Sequence, residues 1–357
     1  MICAWKYLNK RLMMDLRAIA GQFIDFDQWE GADAFGNGNI NDTYRIRFVG
    51  SGVSQNLLLQ RLNHQVFRQP EQVMENIRKV AAYLSDQPYP YRVAAPLPTK
   101  AGGYLYCDNA GNYWRVFPFF DHTYSPEGQA DADTAYKAAR AYGAFAGALQ
   151  AFPAETLAEI LPGFHDTDKR LAVFLEALEN DAAGRAASVR PEIEAILDAR
   201  VLFEQISRLK TSGALPVRVT HNDTKAGNVL FDRDTGQAVA VIDLDTVMPG
   251  TLLSDFGDMV RTFTPDCYED APAETLRLRT DILRALREGF LEETSAFITP
   301  VEQSNLLLGG QWIIAEQALR FLGDYLAGDT YYKIRYPEHN LVRARNQIAL
   351  LRSLSKL

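Results

Sequence analysis

The chain has 357 residues, 47% of them hydrophobic and 23% charged, with a formal net charge of −8. That length exceeds what one hydrophobic core usually serves, so two domains or two lobes around a cleft are expected. Ordinary composition without repeats argues against disorder and solenoids. Scattered Lys and Arg on an acidic chain leave no electrostatic footprint for nucleic acid or an anionic membrane, and a small molecule is the expected partner.

The three cysteines, Cys3, Cys107 and Cys267, are far apart and lack metal-ligand spacing, which argues against a disulfide framework or zinc site and for a reducing cytoplasm. The first twenty residues carry Lys6, Lys10, Arg11, Asp15 and Arg17 and so lack the unbroken apolar core of a secretory signal. Residues 1–12 read as an extension without a function of their own. No stretch reaches membrane-spanning length.

In chain order, Tyr44-Arg45-Ile46-Arg47-Phe48 and Asn56-Leu57-Leu58-Leu59-Gln60 read as strands, followed by a helix over 71–84 that opens after Pro70. Tyr104-Leu105-Tyr106, a turn at 109–112 and Tyr113-Trp114-Arg115-Val116-Phe117 read as a hairpin leading through Pro118-Phe119-Phe120 into a hinge. Helical periodicity fills 132–152, 167–184, 191–212, 272–297 and 301–327. The expectation is an α+β, bilobal protein-kinase-like fold with a small antiparallel-sheet lobe over 1–117 and a larger, mainly helical lobe over 118–357.

Chemistry concentrates in His221-Asn222-Asp223-Thr224-Lys225-Ala226-Gly227-Asn228, which has the H-x-D-x-x-x-x-N pattern of a kinase catalytic loop. Two short strands around the turn Asp234-Thr235-Gly236 then form a hairpin that brings Asp243 back over Asp223 and Asn228. Phosphoryl transfer asks the protein mainly for alignment and charge neutralisation, so Asp223 is the candidate base or hydroxyl-positioner. Asn228 and Asp243 are candidate ligands of Mg²⁺, which prefers a few carboxylate or amide oxygens plus phosphates to a closed protein cage. A lone loop aspartate is ordinarily just surface, but the joint pattern and the trailing Ile242-Asp243 reverse that. His221 is expected to brace the loop by a hydrogen bond.

Ser254-Asp255-Phe256-Gly257-Asp258 imitates the kinase D-F-G metal motif but lies too far along, so Asp255 is expected to cap a helix or bond the loop backbone. Asp245 reads equally as a second metal contact or as the residue fixing the turn before Pro249-Gly250. Gly36-Asn37-Gly38-Asn39 could bring backbone amides to phosphates or be an ordinary hairpin turn. The lysine expected on the following strand is absent, and its place falls on Gln60. Gly36, Gly38, Gln60, Phe117 and Phe119 are the candidate nucleotide contacts. For the acceptor, polar groups stand at His165, Asp166, Arg320, Asp324, Tyr325 and Tyr331, although Arg320 and Asp324 also read as a helical i,i+4 ion pair.

These residues resemble the aminoglycoside phosphotransferase-like kinases and, within them, the N-acetylhexosamine 1-kinases. The resemblance spans nearly the whole chain, through Gly38-Asn39-Ile40-Asn41, Trp114-Arg115-Val116, Phe164-His165-Asp166-Thr167, Arg218 to Lys225, Ile242 to Thr246, Asp255 to Asp258, Arg320-Phe321-Leu322 and Tyr336 to Asn340. It implies an ATP- and Mg²⁺-dependent kinase acting on the anomeric hydroxyl of N-acetylglucosamine or N-acetylgalactosamine. By the same carry-over Asp223 holds that hydroxyl, Asn228 and Asp243 the metal, and Asn39, His165, Arg320 and Tyr331 the sugar. The chain departs at Asn39 from a member of the group that has histidine there, and shares with the group the uncharged Gln60. Alternatives are another small-molecule hydroxyl kinase of the same fold, for an aminoglycoside, choline, homoserine or thio-sugar, or a nucleotide-binding protein without catalysis. The protein is expected to be a monomer or a weak homo-oligomer.

Overall fold

The computed structural model describes residues 16–36, 40–126 and 128–357. Its contacts form two compact units, one of residues up to Pro88, Arg92–Thr123 and Leu244–Val247, the other of Tyr89–Tyr91, Tyr124–Asp243 and Met248–Leu357. As the sequence leads one to expect, an antiparallel sheet dominates the first and helices the second.

The sheet of the first unit has the order β1 (Gln28–Ala34), β2 (Asp42–Gly50), β3 (Val53–Leu62), β6 (Tyr113–Pro118) and β5 (Tyr106–Cys107), each pair antiparallel. β2 and β3 are joined by Ser51 and Gly52 alone, both left-handed at φ 52° and 74°, the turn whose twist matches a tight hairpin. Residues 16–20 are helical (α1), and Leu16, Ile19 and Phe23 pack with Ile46, Leu59, Trp114 and Val116 into a core on the sheet. The expected helix is α2 (Pro70–Ser85), with proline in its first turn and Val73, Ile77, Val80 and Leu84 along its buried face. It packs against the single turn Leu244–Thr246.

β1 lacks apolar alternation, and a bulge between Trp29 and Gly31 shifts its register, which is why periodicity does not reveal it. Short strands β4 (Arg92–Val93) and β7 (Thr123–Tyr124) complete the list up to α3 (Ala132–Ala148).

In the second unit α4 (Thr167–Asn180), α5 (Arg190–Asp198), α6 (Arg200–Thr211), α7 (Leu252–Phe263), α8 (Thr280–Thr294), α9 (Pro300–Ser304), α10 (Leu306–Leu326) and α11 (His339–Leu354) surround strands β8 (Arg218–Thr220), β9 (Val229–Asp232), β10 (Ala238–Val241) and β11 (Met248–Gly250). The periodic stretch 191–212 is thus two helices, and 301–327 breaks at Asn305. The 21-residue α10 is buried on almost every side, and its Trp312, Leu319 and Leu322 share a core with Phe174, Phe203 and Leu341. No helix among the described residues is long and apolar enough to cross a membrane.

Helix α7 meets α10 through glycines. A Cβ on Gly257 would lie 2.3 Å from the Gly309 carbonyl oxygen, and one on Gly309 would lie 2.5 Å from that of Leu253. Backbone against backbone leaves no flexible side chain to yield, so the two helices can approach this closely only without side chains at the crossing. Gly309→Ala should therefore lower the unfolding free energy by about 1–3 kcal/mol, the cost of overpacking, measured by urea denaturation. A midpoint equal to wild type would show that the crossing opens without cost.

Candidate active site

β8 pairs antiparallel with β11, Met248 opposite Thr220 and Gly250 opposite Arg218, and delivers the chain into the loop that begins at His221. The fully buried His221 ring packs edge-on against Tyr142 at 5.5 Å and Phe145 at 5.9 Å. Its Nε2 lies 2.9 Å from the Ile242 carbonyl, and its Nδ1 accepts the Asp223 amide at 3.3 Å. With both ring nitrogens engaged by backbone groups, His221 braces the loop, as expected.

Asp255, near the start of α7, accepts the backbone N–H groups of His221 at 2.9 Å and Asn222 at 2.8 Å. Asn222 itself is left-handed at φ 62°, a conformation costly for a residue with a side chain and held here by its neighbours. Thr224 Oγ1 donates to the Asp255 carbonyl at 2.6 Å. The neighbouring Asp258 is taken by Arg261 at 2.9 Å, so neither acid of the D-F-G look-alike stands clear of protein partners.

Asp223 projects from the braced loop with 30% of its side chain exposed. Its Oδ2 receives Lys225 Nζ at 2.7 Å and Asn228 Nδ2 at 2.9 Å. Burial pushes this carboxyl up, but Lys225, His221 and Asn228 outweigh it and hold it below the ordinary range, so it is ionised at neutral pH. Asn228 Nδ2 also donates to the Asp223 carbonyl at 2.8 Å. Spending the nitrogen end on Asp223 turns the amide oxygen, the end that can hold a cation, the other way.

The β9–β10 hairpin returns the chain to the same place: the Ile242 amide donates to the Asn228 carbonyl at 2.9 Å, and Asp243 follows, left-handed at φ 61°. Partial desolvation lowers the half-exposed Lys225 ammonium, but Asp223 and Asp243 outweigh it and raise the group, and burial together with these carboxylates keeps the Tyr142 hydroxyl protonated. The Tyr142 hydroxyl donates to the Lys225 carbonyl at 2.7 Å. Among the described residues no three His, Cys, Asp or Glu gather into a metal cage. One carboxylate and one amide oxygen beside an ionised aspartate fit magnesium, which keeps water and phosphate oxygens for most of its shell. In the sequence Lys225 stands out only as part of the loop and of the resemblance; its pairing with Asp223 goes unforeseen, although the spacing D-x-K was the signal available.

In the first unit, Gly36 is exposed and left-handed at φ 78°, and beside it Phe35 meets the Phe119 ring edge-on at 5.2 Å. Gln60 pairs across the strands with Thr43 and Arg115, its amide donating to Thr43 Oγ1 at 2.9 Å and accepting from Arg115 Nε at 3.1 Å. Phe117, two residues along from Arg115 and so on the same face, lies 5.0 Å from that guanidinium. Gly38 and Asn39 lie outside the described residues.

A second polar cluster lies along α10. His165 Nδ1 is 2.9 Å from Glu316 Oε1, and the other oxygen of this buried carboxylate has no hydrogen-bond partner among the described residues. Arg320 lies over the rings of Phe164, Tyr331 and Tyr332 at 5.5, 6.0 and 5.7 Å, and bonds Gln317 at 3.3 Å. Arg170 donates to the Phe164 carbonyl at 3.2 Å, and Lys210 to that of His165 at 2.9 Å. Burial pushes the Glu316 carboxyl up, but His165, Arg320 and Arg170 pull it below the ordinary range. Asp324 does not pair with Arg320, contrary to the simple helical expectation. Its carboxylate takes the amides of Thr330, Tyr331 and Tyr332 and the side chain of Asn340, all within 2.8–2.9 Å. Tyr331 itself is 70% exposed.

The family model described as a phosphotransferase enzyme family matches residues 32–288, more than two thirds of the chain. The chain belongs to that family. Among solved structures it is similar to a spectinomycin phosphotransferase crystallised with ADP and spectinomycin, at 13% identity and TM-score 0.61 over 97% of this chain and 99% of that one. A microcompartment-associated aminopropanol kinase is similar at 18% identity and TM-score 0.65, over 95% and 96%. A choline kinase from Cryptosporidium parvum follows at 12% identity and TM-score 0.56, over 93% and 92%. At these identities the likeness is one of fold.

Burial raises the Asp255 carboxyl to about 6 from 3.8, against the pull of His221 and the two amides it holds. A folded-state value above the unfolded one means that folding disfavours the charge, so this group's cost is absent at low pH and grows as pH rises from about 4 to about 6. Asp255→Asn should remove that dependence while losing an acceptor. Its stability deficit against wild type should then be larger at pH 4.5 than at pH 7.5, by roughly 1–3 kcal/mol in paired urea titrations. A deficit independent of pH would refute the burial of charge at this carboxylate.

Proposed function

We propose that the chain is an ATP-dependent kinase that transfers a phosphoryl group to a hydroxyl of a small, uncharged sugar, and that the anomeric hydroxyl of an N-acetylhexosamine is its acceptor. Family membership supports the phosphoryl transfer, and the nucleotide complexes of fold relatives support ATP. Asp223, ionised and directed by Asn228 and Lys225, aligns the attacking hydroxyl and takes its proton as the bond to the γ-phosphorus forms and the bond from that phosphorus to the β–γ bridging oxygen breaks, releasing ADP. Asn228 and Asp243 would hold magnesium, which when bound neutralises charge on the phosphates. Lys225 adds a cation beside the same carboxylate.

One observation carries the acceptor assignment. The cluster along α10 sets three cations, Arg170, Lys210 and Arg320, around the buried Glu316; Asp166 and Asp168, which also act on Lys210, accept from the Lys169 amide and the Ser207 hydroxyl, and the nearby Asp324 is already used by backbone amides. A cationic acceptor such as an amino alcohol or an aminoglycoside needs an excess of acids. Here the excess is of donors, suited to carbonyl and hydroxyl oxygens, with aromatic faces at Phe164, Tyr331 and Tyr332 for the sugar ring.

Turnover should be followed with N-acetylglucosamine, N-acetylgalactosamine, their methyl glycosides, choline and an aminoglycoside, with phosphorus NMR of the product. The free sugars should be phosphorylated at the anomeric oxygen and the blocked ones not. Equal turnover of the methyl glycosides, or a preference for the amines, would end this reading. Asp223→Asn should lose about 10²–10⁴ in turnover with ATP binding little changed. Arg320→Met should raise the KM for the sugar about 10- to 100-fold and leave the KM for ATP alone, if its guanidinium hydrogen-bonds the acceptor.

A further inference from the structure

The chain has no lysine at the strand position that normally supplies the nucleotide lobe with a cation; Gln60 stands there. Directly across the strand register is Arg115, among the most buried large side chains of the molecule. Its guanidinium meets Asp245 twice, Nη1 to Oδ1 at 2.6 Å and Nη2 to Oδ2 at 2.8 Å, while Nε bonds Gln60 and Nη1 lies 3.7 Å from Met74 Sδ on α2. Asn41, immediately before β2, donates to the same Asp245 Oδ2 at 2.7 Å and accepts the Asn63 amide at 3.0 Å. From α2 the buried Asn76 donates to the Val247 carbonyl at 2.9 Å.

Asp245 thus has both oxygens committed and is 4% exposed, so a metal would have to displace an arginine to reach it. Arg115 is equally unsuited to phosphate, because its charge is already matched by a bidentate carboxylate. What the pair does hold is the segment Leu244–Val247, which begins one residue after Asp243. Two residues of chain span at most about 7 Å, so fixing Asp245 limits where the Asp243 carboxylate can stand.

We propose that Arg115 and Asp245 are positioning residues, a buried clamp that holds the segment Leu244–Val247 and through the adjoining backbone orders the metal-ligand Asp243. This rests on the kinase reading of the site. The absent lysine is replaced by a cation that orders the metal segment and does not touch the nucleotide.

Two measurements test it. In Arg115→Met, hydrogen exchange followed by mass spectrometry should show amides of 242–247 exchanging about tenfold faster or more, with 229–232 unchanged. Unchanged protection of 242–247 overturns the clamp, whatever the protein's activity. In Asp245→Asn, calorimetry with ADP in EDTA should give an affinity within about twofold of wild type, while the tightening produced by added Mg²⁺ falls about 10- to 100-fold, the usual loss when a partner that orients a metal ligand is removed. Equal loss with and without Mg²⁺ would make Asp245 a support of the nucleotide site alone and overturn the proposal, as would an undiminished Mg²⁺ effect. Absence of any ADP binding in wild type would instead sink the kinase reading and leave the exchange result to decide the clamp.

Discussion

One buried carboxylate organises the loop on which the site depends. Asp255 gathers two successive amides, His221 and Asn222, that lie beyond strand β8, where the chain turns left-handed at Asn222. Buried N–H groups without acceptors would cost more than the loop's local contacts return. The carboxylate rides on α7, α7 can lie against α10 only because glycines meet at the crossing, and α10 carries the His165–Glu316–Arg320 cluster. Loop geometry and the second polar cluster are in this sense set by the same helix contact.

The two left-handed non-glycine residues at the site, Asn222 and Asp243, follow the same logic. Each is an Asx residue, the class that bears that conformation with least strain, and each directly precedes or is one of the acids on which the chemistry is proposed to rest. Local strain is tolerated because β8, β11 and the β9–β10 hairpin fix both ends of the segments concerned.

Much of this was legible in the sequence. H-x-D-x-x-x-x-N, the hairpin return to Asp243 and the structural part of Asp255 could be read because spacing along a loop and a two-strand turn carries nearly the whole geometry. Helix α7 could not, since Leu252 to Met259 are buried on every side and offer no amphipathic stripe. Helix α11 hides its buried His339, Asn340, Asn346 and Gln347 behind a polar sequence. The Arg115–Asp245 pair joins residues 130 apart, and nothing local announces it; Gln60 drew attention because a lysine was missing, while the compensating charge sat on the neighbouring strand. Asp324 and Arg320 show the opposite failure: correct spacing for an ion pair, overridden by backbone amides that needed the carboxylate more.

That carboxylate has a further consequence. Asp324 ties down three consecutive amides around Tyr331, whose ring nonetheless stands in solvent. The segment has thus already given up its backbone freedom before any ligand arrives. In the sugar-binding role proposed for Tyr331, a ring presented in this way would bind without the usual ordering entropy, which otherwise consumes much of the gain from stacking on a mobile loop. On that proposal, the tyrosine's usefulness to a ligand would be stored in a helix-end aspartate that the ligand need never touch.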